Sequence, residues 1–510
     1  YYAIIVADKA TIELISQEDV IDYVEKPKSL YYHIERTKTA ACVGSVRADG
    51  NILSGKGVIV GVIDTGIDIF DNAFRNSDGT TRILNIYDQT TGEKYDKQSI
   101  DEYIRLNEDL SGGTFSYDNA PGVDNIMHGT DVSYIAAGSL GVAYEADIIA
   151  VKMGYSINNQ FPRTTSLMDA IDYIIRKAIE YRKPVAVNIS YGCNYGAHNG
   201  NTLLESFIDD ISKSYRCVIC VGSGNEADKA IHFGGIINTG QVQTAYLSVG
   251  EYQSAIDIQI WKNYWDTIDV MLINPRGEQI GIITEGRINR YETYNTEIIT
   301  LLGEPSPYNI YQEIYINLIP KTDYILSGIW QIVLMAGSIR AGEYNIWLPS
   351  SQALGYATAF NNPTADGTIT IPATARNCIA VGAYNAYTNS YAAFSGRGFD
   401  NSIRNVNAGV KPDITAPGVD ISIARQRGND ITYRNVTGTS YAVPVVTGAA
   451  ALLMQWGIVM GNDRFMYGEK LKAALIDGSK PVGLVGITRN DNQPDPRTGW
   501  GAVCLKNTLN

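Results

Sequence analysis

Val58-Ile59-Val60-Gly61-Val62-Ile63 is apolar almost without interruption and rich in β-branched residues. A strand half exposed to water would alternate; one that does not alternate is buried on both faces, the usual state of a strand inside a parallel sheet. Asp147 to Lys152 and Pro184 to Ser190 repeat this character, and between them Leu167, Ile171, Ile174, Ile175, Ala178 and Ile179 fall at helical spacing. Buried strands separated by amphipathic helices are βαβ units, so the region from Gly57 to about Gly224 is predicted to form a doubly wound parallel α/β sheet.

The texture changes after about Gln241. Ala255 to Ile260 and Thr267 to Leu272 alternate strictly, and the turn Asn274-Pro275-Arg276-Gly277 follows. Further strands are expected over Gln279 to Ile283, Glu313 to Ile319, Gly328 to Leu334 and Glu343 to Leu348. Short strands at this spacing predict an antiparallel β-sandwich inserted into the α/β domain, with Trp261, Trp265, Trp330 and Trp347 read as core or interface residues. The α/β pattern resumes at Ala380-Val381-Gly382-Ala383 and ends in a helix, apolar on most sides, that begins at about Ser440. Pro444 fits only in its first turn, where a missing N–H leaves no bond unmade.

The charge balance, 41 Lys and Arg against 54 Asp and Glu for a net −13, excludes a nucleic-acid partner that would need a basic surface. No uninterrupted apolar stretch of about 18 residues marks a membrane span. The chain starts Tyr1-Tyr2-Ala3 without Met, so a preceding segment is expected and targeting is not legible. Six cysteines are thinly spread: Cys42, Cys193, Cys217, Cys220, Cys378 and Cys504. They are expected to be reduced, buried thiols rather than a disulfide framework or a metal site.

Three motifs occur in order: Asp64-Thr65-Gly66, His128-Gly129-Thr130 and Gly438-Thr439-Ser440-Tyr441-Ala442-Val443-Pro444. Singly, each reads as a turn or a helix cap. Jointly they supply an acid, a base and a hydroxyl. A serine hydroxyl is a poor nucleophile until a base removes its proton, and the base needs a carboxylate to hold its tautomer and stabilise its cation. Of four histidines, only His128 is followed by Gly-Thr and a helical stretch that would anchor it. The oxyanion of acyl transfer needs donors: the backbone N–H of Ser440 at its helix N-terminus and the side-chain amide of Asn225, which closes Val221-Gly222-Ser223-Gly224-Asn225, are the candidates.

With Gly57 through Asp68, His128 to Thr130, Ser223 to Asn225, Lys411 through Gly418 and Gly438 through Pro444, the chain resembles the subtilisin-like serine proteases, whose triad runs Asp, His, Ser. The resemblance implies Asp64, His128 and Ser440 as triad and Asn225 as oxyanion donor. It implies Ser190, Tyr191 and Gly192 as the edge pairing with substrate backbone, and Gly222, Ser223 and Gly224 as a wall of the first specificity pocket. No cofactor is implied, and no loop has carboxylates spaced to name a metal site.

The 215 positions between Asn225 and Ser440 exceed those of minimal subtilisins. Tyr1 to Val6 and Val20 to Pro27 resemble the end of a subtilisin pro-segment. With the insert, read as a jelly roll, these features are similar to the clostridial Csp spore-germination proteases, which cleave the pro-form of a cortex-degrading hydrolase. The expected organisation is a partial prodomain over 1–35, cut between about Glu25 and Ser45, catalytic-domain parts over 36–240 and 351–510, and the insert over 241–350. The expected protein is a spore-associated or extracellular endopeptidase whose partners are a protein substrate and its own prodomain. The alternatives are a silent or prodomain-occluded regulatory protein on the same scaffold, a general extracellular subtilase, and a carbohydrate-binding role for the sandwich.

Overall fold

The computed structural model describes residues 7, 9–15, 17, 18, 20, 33–44, 53–108, 119–154, 162–283, 288–305, 307, 309–399, 410–427, 430–483 and 494–509. Most of the stretch that resembles a pro-segment, including Val-Glu-Lys-Pro at 24–27, lies outside the described residues.

A nine-stranded sheet forms the centre: β1 (Ile59–Asp64), β2 (Ile83–Asp88), β3 (Glu93–Asp96), β4 (Asp147–Lys152), β5 (Val185–Ile189), β6 (Cys217–Gly222), β7 (Ile379–Asn385), β8 (Ser390–Tyr391) and β9 (Ile414–Pro417). Their order is β8-β7-β6-β5-β1-β4-β2-β3, with β9 also on β7. The pairs joining β2, β4, β1, β5, β6, β7 and β9 are parallel; only β3 and β8 run antiparallel, one at each end. Every residue of β1, β5 and β6 is buried, the burial expected from their unbroken apolar runs.

Four helices position the site. They are α1 (His128–Ala137), α2 (Thr164–Tyr181), α3 (Leu203–Ser214) and α4 (Thr439–Met454). Helix α2 keeps Leu167, Ile171, Ile174, Ile175 and Ala178 buried, whereas Ile179 is exposed at its outer edge. Helix α4 is buried along nearly its whole length and packs on α1, β5, β6 and β7. Together with its continuation to Val459, it is long and apolar enough to cross a membrane by composition. Thr447, Gly448 and Gln455 interrupt its apolar run, which is why the sequence showed no such stretch. Because 83% of its most apolar window is buried inside the protein, it is a core helix.

Two further sheets, wholly antiparallel, draw their strands from His232 to Phe360, a span wider at both ends than 241–350. One has five strands with Gly328–Ala336 at its middle, the other six with Tyr311–Pro320 and Ile256–Asn263 paired inside. Leu247, Val270, Trp330, Ile258, Ile316 and Trp347 fill one core between them. The indoles of Trp330 and Trp347 are buried and each donates to a carbonyl, of Leu326 and Gly367, as a buried N–H must. Trp261 is half-buried, and Trp265 is exposed instead of core.

The cysteine expectation needs one correction. Cys42 and Cys504 form a disulfide across 462 positions. The helix His33–Ala40 and the C-terminal helix Leu505–Leu509 flank the two cysteines, so the fold, not local spacing, brings the thiols together. Cys193, Cys217, Cys220 and Cys378 are free, and burial pushes the Cys217 and Cys220 thiols up to about 12. The Lys411 to Gly418 signature is a pin, largely buried, whose last residue accepts from the Gly438 N–H just before Ser440. Asp413 takes the ammonium groups of Lys411 and Lys472 at 2.8 and 2.7 Å and the backbone N–H of Ala380, tying β9 to β7.

Candidate active site

Parallel neighbours end at the same edge of a sheet, so β1, β5 and β6, adjacent in the order, deliver Asp64, Ser190 and the turn Gly222 to Asn225 side by side. Helices α1 and α4 bring His128 and Ser440 to that edge, His128 as the first residue of α1 and Ser440 as the second of α4. The result is a cleft of about 320 Å³ lined by His128, Ser190, Tyr191, Gly192, Gly222, Gly224, Asn225, Thr439 and Ser440, among others.

Asp64 is buried, and its Oδ1 lies 2.6 Å from His128 Nδ1 while accepting from the Thr65 N–H at 2.8 Å. A carboxylate on Nδ1 makes that nitrogen the donor and leaves Nε2 as the basic end of the ring. Burial disfavours the imidazolium, but the Asp64 carboxylate, followed by Asp124 and Asp131, outweighs it and holds the His128 pKa above its ordinary 6.5. The Tyr441 ring stands 5.3 Å from that of His128. Among the described residues no hydrogen bond joins the Ser440 hydroxyl to His128, though both line one cleft; catalytic hydrogen bonds often form only once substrate closes a site.

The threonines of the first two motifs have a shared partner that the sequence reading missed. Asp124, fully buried, accepts from Thr65 Oγ1 and the Ile126 and Met127 N–H groups on Oδ1, and from the Thr130 N–H and hydroxyl on Oδ2. Thr65 in turn accepts from the Gly129 N–H at 2.9 Å, and Thr130 from the Asp68 N–H at 3.0 Å. At Gly129 a Cβ would sit 2.3 Å from the Gly66 carbonyl oxygen, so only glycine lets the two motif loops meet. A lone Asp four positions before His128 carries no sequence signal of this role.

Asn225 is oriented by necessity. The Thr439 N–H and hydroxyl both donate to its Oδ1 at 3.0 Å, and an N–H can bond only the carbonyl end of an amide, so the NH₂ is the end left for the cleft. Gly438 precedes with φ +152°, a conformation that non-glycine residues rarely adopt. Ser190 Oγ, bonded by Asn188 Nδ2, donates to the Ser440 carbonyl at 3.3 Å.

Five of the six expected substrate-contacting residues line the cleft. Ser223 does not: its backbone is bonded to Val381 and Thr370 and its hydroxyl to Ser395, because alternation along the strand end turns its side chain into the protein. Glu226, Ser350, Gln352 and Thr370 line the cleft as well and were not singled out. Glu226 accepts from Ser350 and Ser351, which return from the antiparallel sheets 124 and 125 positions later, so no local pattern could reveal the pairing. An adjoining apolar pocket of about 560 Å³, with Met153, Leu167, Leu204, Ile371 and Pro372, shares Tyr191, Gly192, Ser350 and Gln352 with the cleft. Among the described residues no group of three or more His, Cys, Asp or Glu could hold a metal ion.

The family model described as the subtilase family, peptidase S8, matches residues 55–306 and 341–501. The chain belongs to the subtilase family. By family it is a subtilisin-like serine protease. This subtilase superposes on the structure of the Clostridium perfringens CspB protease with a TM-score of 0.83 and 34% identity, covering 93% of this chain and 96% of that one. Among curated relatives it is 33% identical over 128 residues to the subtilase-type proteinase RRT12 of Saccharomyces cerevisiae, covering 24% of this chain and 23% of the relative. To subtilisin E of Bacillus subtilis it is 38% identical over 107 residues, covering 21% of this chain and 24% of the relative. The alignments thus span about a quarter of the length of these curated relatives. Covering 93% of this chain, the CspB match extends over the antiparallel sheets.

Proposed function

We propose that this subtilase is an active serine endopeptidase in which Ser440 attacks a peptide carbonyl, His128 takes and returns the proton, and Asp64 holds His128. The observation that carries the reading is the Asp64–His128 hydrogen bond of 2.6 Å opening onto the one cleft that Ser440 and Asn225 also line. His128 Nε2 takes the hydroxyl proton as the Oγ–C bond forms. The carbonyl oxygen gains charge where the Ser440 N–H, at the positive end of α4, and the Asn225 NH₂ can donate. Collapse expels the amine, which receives the proton from His128, and water repeats the sequence to release the acid.

Ser190 to Gly192 and Gly222 with Gly224 are proposed to flank an extended substrate backbone, and the adjoining 560 Å³ pocket to take an apolar substrate side chain. Similarity to the CspB protease over nearly the whole chain supports the finer reading: limited proteolysis of a pro-hydrolase in spore germination, in a spore-associated or extracellular setting, with 1–35 as the remnant of a self-cleaved prodomain. Incubation with a fluorophosphonate followed by peptide mass spectrometry should place the label on Ser440. A folded, prodomain-free sample that takes no label would overturn the reading in favour of a silent binding protein.

Two more outcomes follow from the geometry. Asn225→Ala should lower kcat by about 10²–10³-fold with little change in KM, since the lost donor acts on charge that exists only in the transition state. An equal rise in KM instead would place Asn225 in ground-state binding. The raised His128 pKa sets the acid limb of activity. Protonation removes the base, so kcat/KM should fall as pH drops through a value above 6.5. A profile whose acid limb lies below that value would contradict the electrostatics of the site.

A further inference from the structure

Beside the cleft lies a buried ion cluster that the acyl-transfer scheme does not use. Asp131 follows His128 by three positions on α1 and is fully buried. Arg425 donates through Nε to its Oδ1 at 3.0 Å and through a terminal nitrogen to the same oxygen, while that nitrogen also reaches the Met127 carbonyl at 3.0 Å. Arg434 pairs with the other carboxylate oxygen at 2.6 Å. Both arginines belong to the hairpin of Ile421–Arg427 and Asp430–Val436, whose second strand runs directly into Gly438 and Ser440.

We propose that Asp131, Arg425 and Arg434 are positioning residues that fix the His128 imidazole relative to the Ser440 segment, an inference that rests on the catalytic reading of those two residues. Each arm of the cluster ends on one of the two segments that must meet. Arg425 holds the carbonyl of Met127, the residue with φ +66° that turns the chain into α1 at His128. The Arg434 guanidinium acts on the phenol of Tyr441, favouring its charged form; Tyr441 follows Ser440, and its ring stands 5.3 Å from that of His128. An ion pair serving only to stabilise the hairpin could sit anywhere along it, and a buried pair is in any case weak evidence of stabilisation. This one bridges the base and the nucleophile, 312 positions apart in sequence.

The cluster also acts on His128 through its field. Around the imidazole stand Asp64 from β1, Asp124 from the loop before α1, Asp131 on its own helix, Arg425 and Arg434 from the hairpin and Tyr441 from α4. Asp131 favours the protonated ring. Without its charge that support is lost and the two guanidinium groups lose their buried counterion, so the His128 pKa should fall.

The test uses the full chain and two readouts. The first is the rate of fluorophosphonate labelling of Ser440 across pH; the second is the NMR titration of His128 in a Ser440→Ala background, assigned with His128→Gln. Asp131→Asn is expected to slow labelling by roughly 10²-fold, as a misplaced reacting group does, and to move both the acid limb and the His128 titration to lower pH. Arg434→Gln is expected to slow labelling, and Arg434→Lys, which keeps the charge, to restore most of the rate. A folded Asp131→Asn protein with wild-type labelling and an unmoved His128 titration would overturn the proposal. Should Asp131→Asn not fold, the half-exposed Arg434 decides: equal labelling rates for Arg434→Gln and wild type would overturn it. If the wild type takes no label, the catalytic reading fails by itself, and the titration shift alone decides whether the cluster governs His128.

Discussion

Ser440→Ala is expected to lower kcat by roughly 10⁶-fold, since removing the nucleophile of a triad costs about as much as removing the whole triad. The residual rate would come from substrate binding and from oxyanion donors that remain. The fold should survive: the hydroxyl bonds no protein group among the described residues, while the backbone carbonyl that accepts from Ser190 is unchanged. Cleavage of a labelled protein substrate and thermal melting, measured on the same preparations, separate the two effects. Mapping the N-terminus of each gives a second reading, because a self-cleaving wild type loses its prodomain where the variant keeps it. Activity retained in the variant would remove Ser440 from the mechanism.

The second large effect falls on stability. Asp124→Ala is expected to destabilise the protein by about 3–5 kcal/mol, the range for breaking a buried charged network from one side. The reason is arithmetic over donors: the hydroxyls of Thr65 and Thr130 and the N–H groups of Ile126, Met127 and Thr130 would all lose their acceptor inside the protein. Asp124→Asn should be intermediate, because its carbonyl end can keep only one side of the set. Urea unfolding of the three proteins checks the order. Because Thr65 and Thr130 brace the loops that carry Asp64 and His128, activity should fall along with stability. An Asp124→Ala protein as stable as wild type would mean that the network is decorative.

How much of this was legible depends on whether the signal is local. The unbroken apolar runs at Val58 to Ile63 and Pro184 to Ser190 predict buried parallel strands, and both form adjacent strands of the central sheet. The strict alternation at Ala255 to Ile260 predicts an antiparallel partner, which Tyr311–Pro320 supplies. Helix α4 starts where Gly438 predicts, but Pro444 is its sixth residue and lies inside the helix rather than in its first turn; the Ser440 carbonyl, which the proline nitrogen cannot serve, accepts from Ser190 Oγ instead. Cys42 and Cys504 mislead, since thinly spread cysteines carry no pairing information. Trp265, read as core or interface, lies exposed outside the sandwich core, since an aromatic residue's own burial depends on what packs over it.

At the cleft the same division holds. The motifs around Asp64, His128 and Ser440 are contiguous and rich in turn residues, so they can be read from the chain. Asp131 with its two arginines and Glu226 with Ser350 and Ser351 cannot, because each partnership is made across distant parts of the chain, and Asp124 cannot because its local bonds gain their role only through the Thr65 hydroxyl 59 positions earlier.

The sequence by itself determined the parallel α/β class, the presence of antiparallel strands within it, and a candidate nucleophile, base and acid in one order. Those features depend on periodicity and on neighbours a few positions away, which backbone geometry converts directly into strands, turns and helix starts. Only the tertiary structure decided that Asp64 reaches His128 Nδ1, that the NH₂ of Asn225 is left for the cleft, that Ser223 turns away from it, and that a hairpin charge cluster joins the two motif segments. Each is a matter of a few ångströms between side chains dozens to hundreds of positions apart, set by packing of the whole sheet rather than by any segment's own preference.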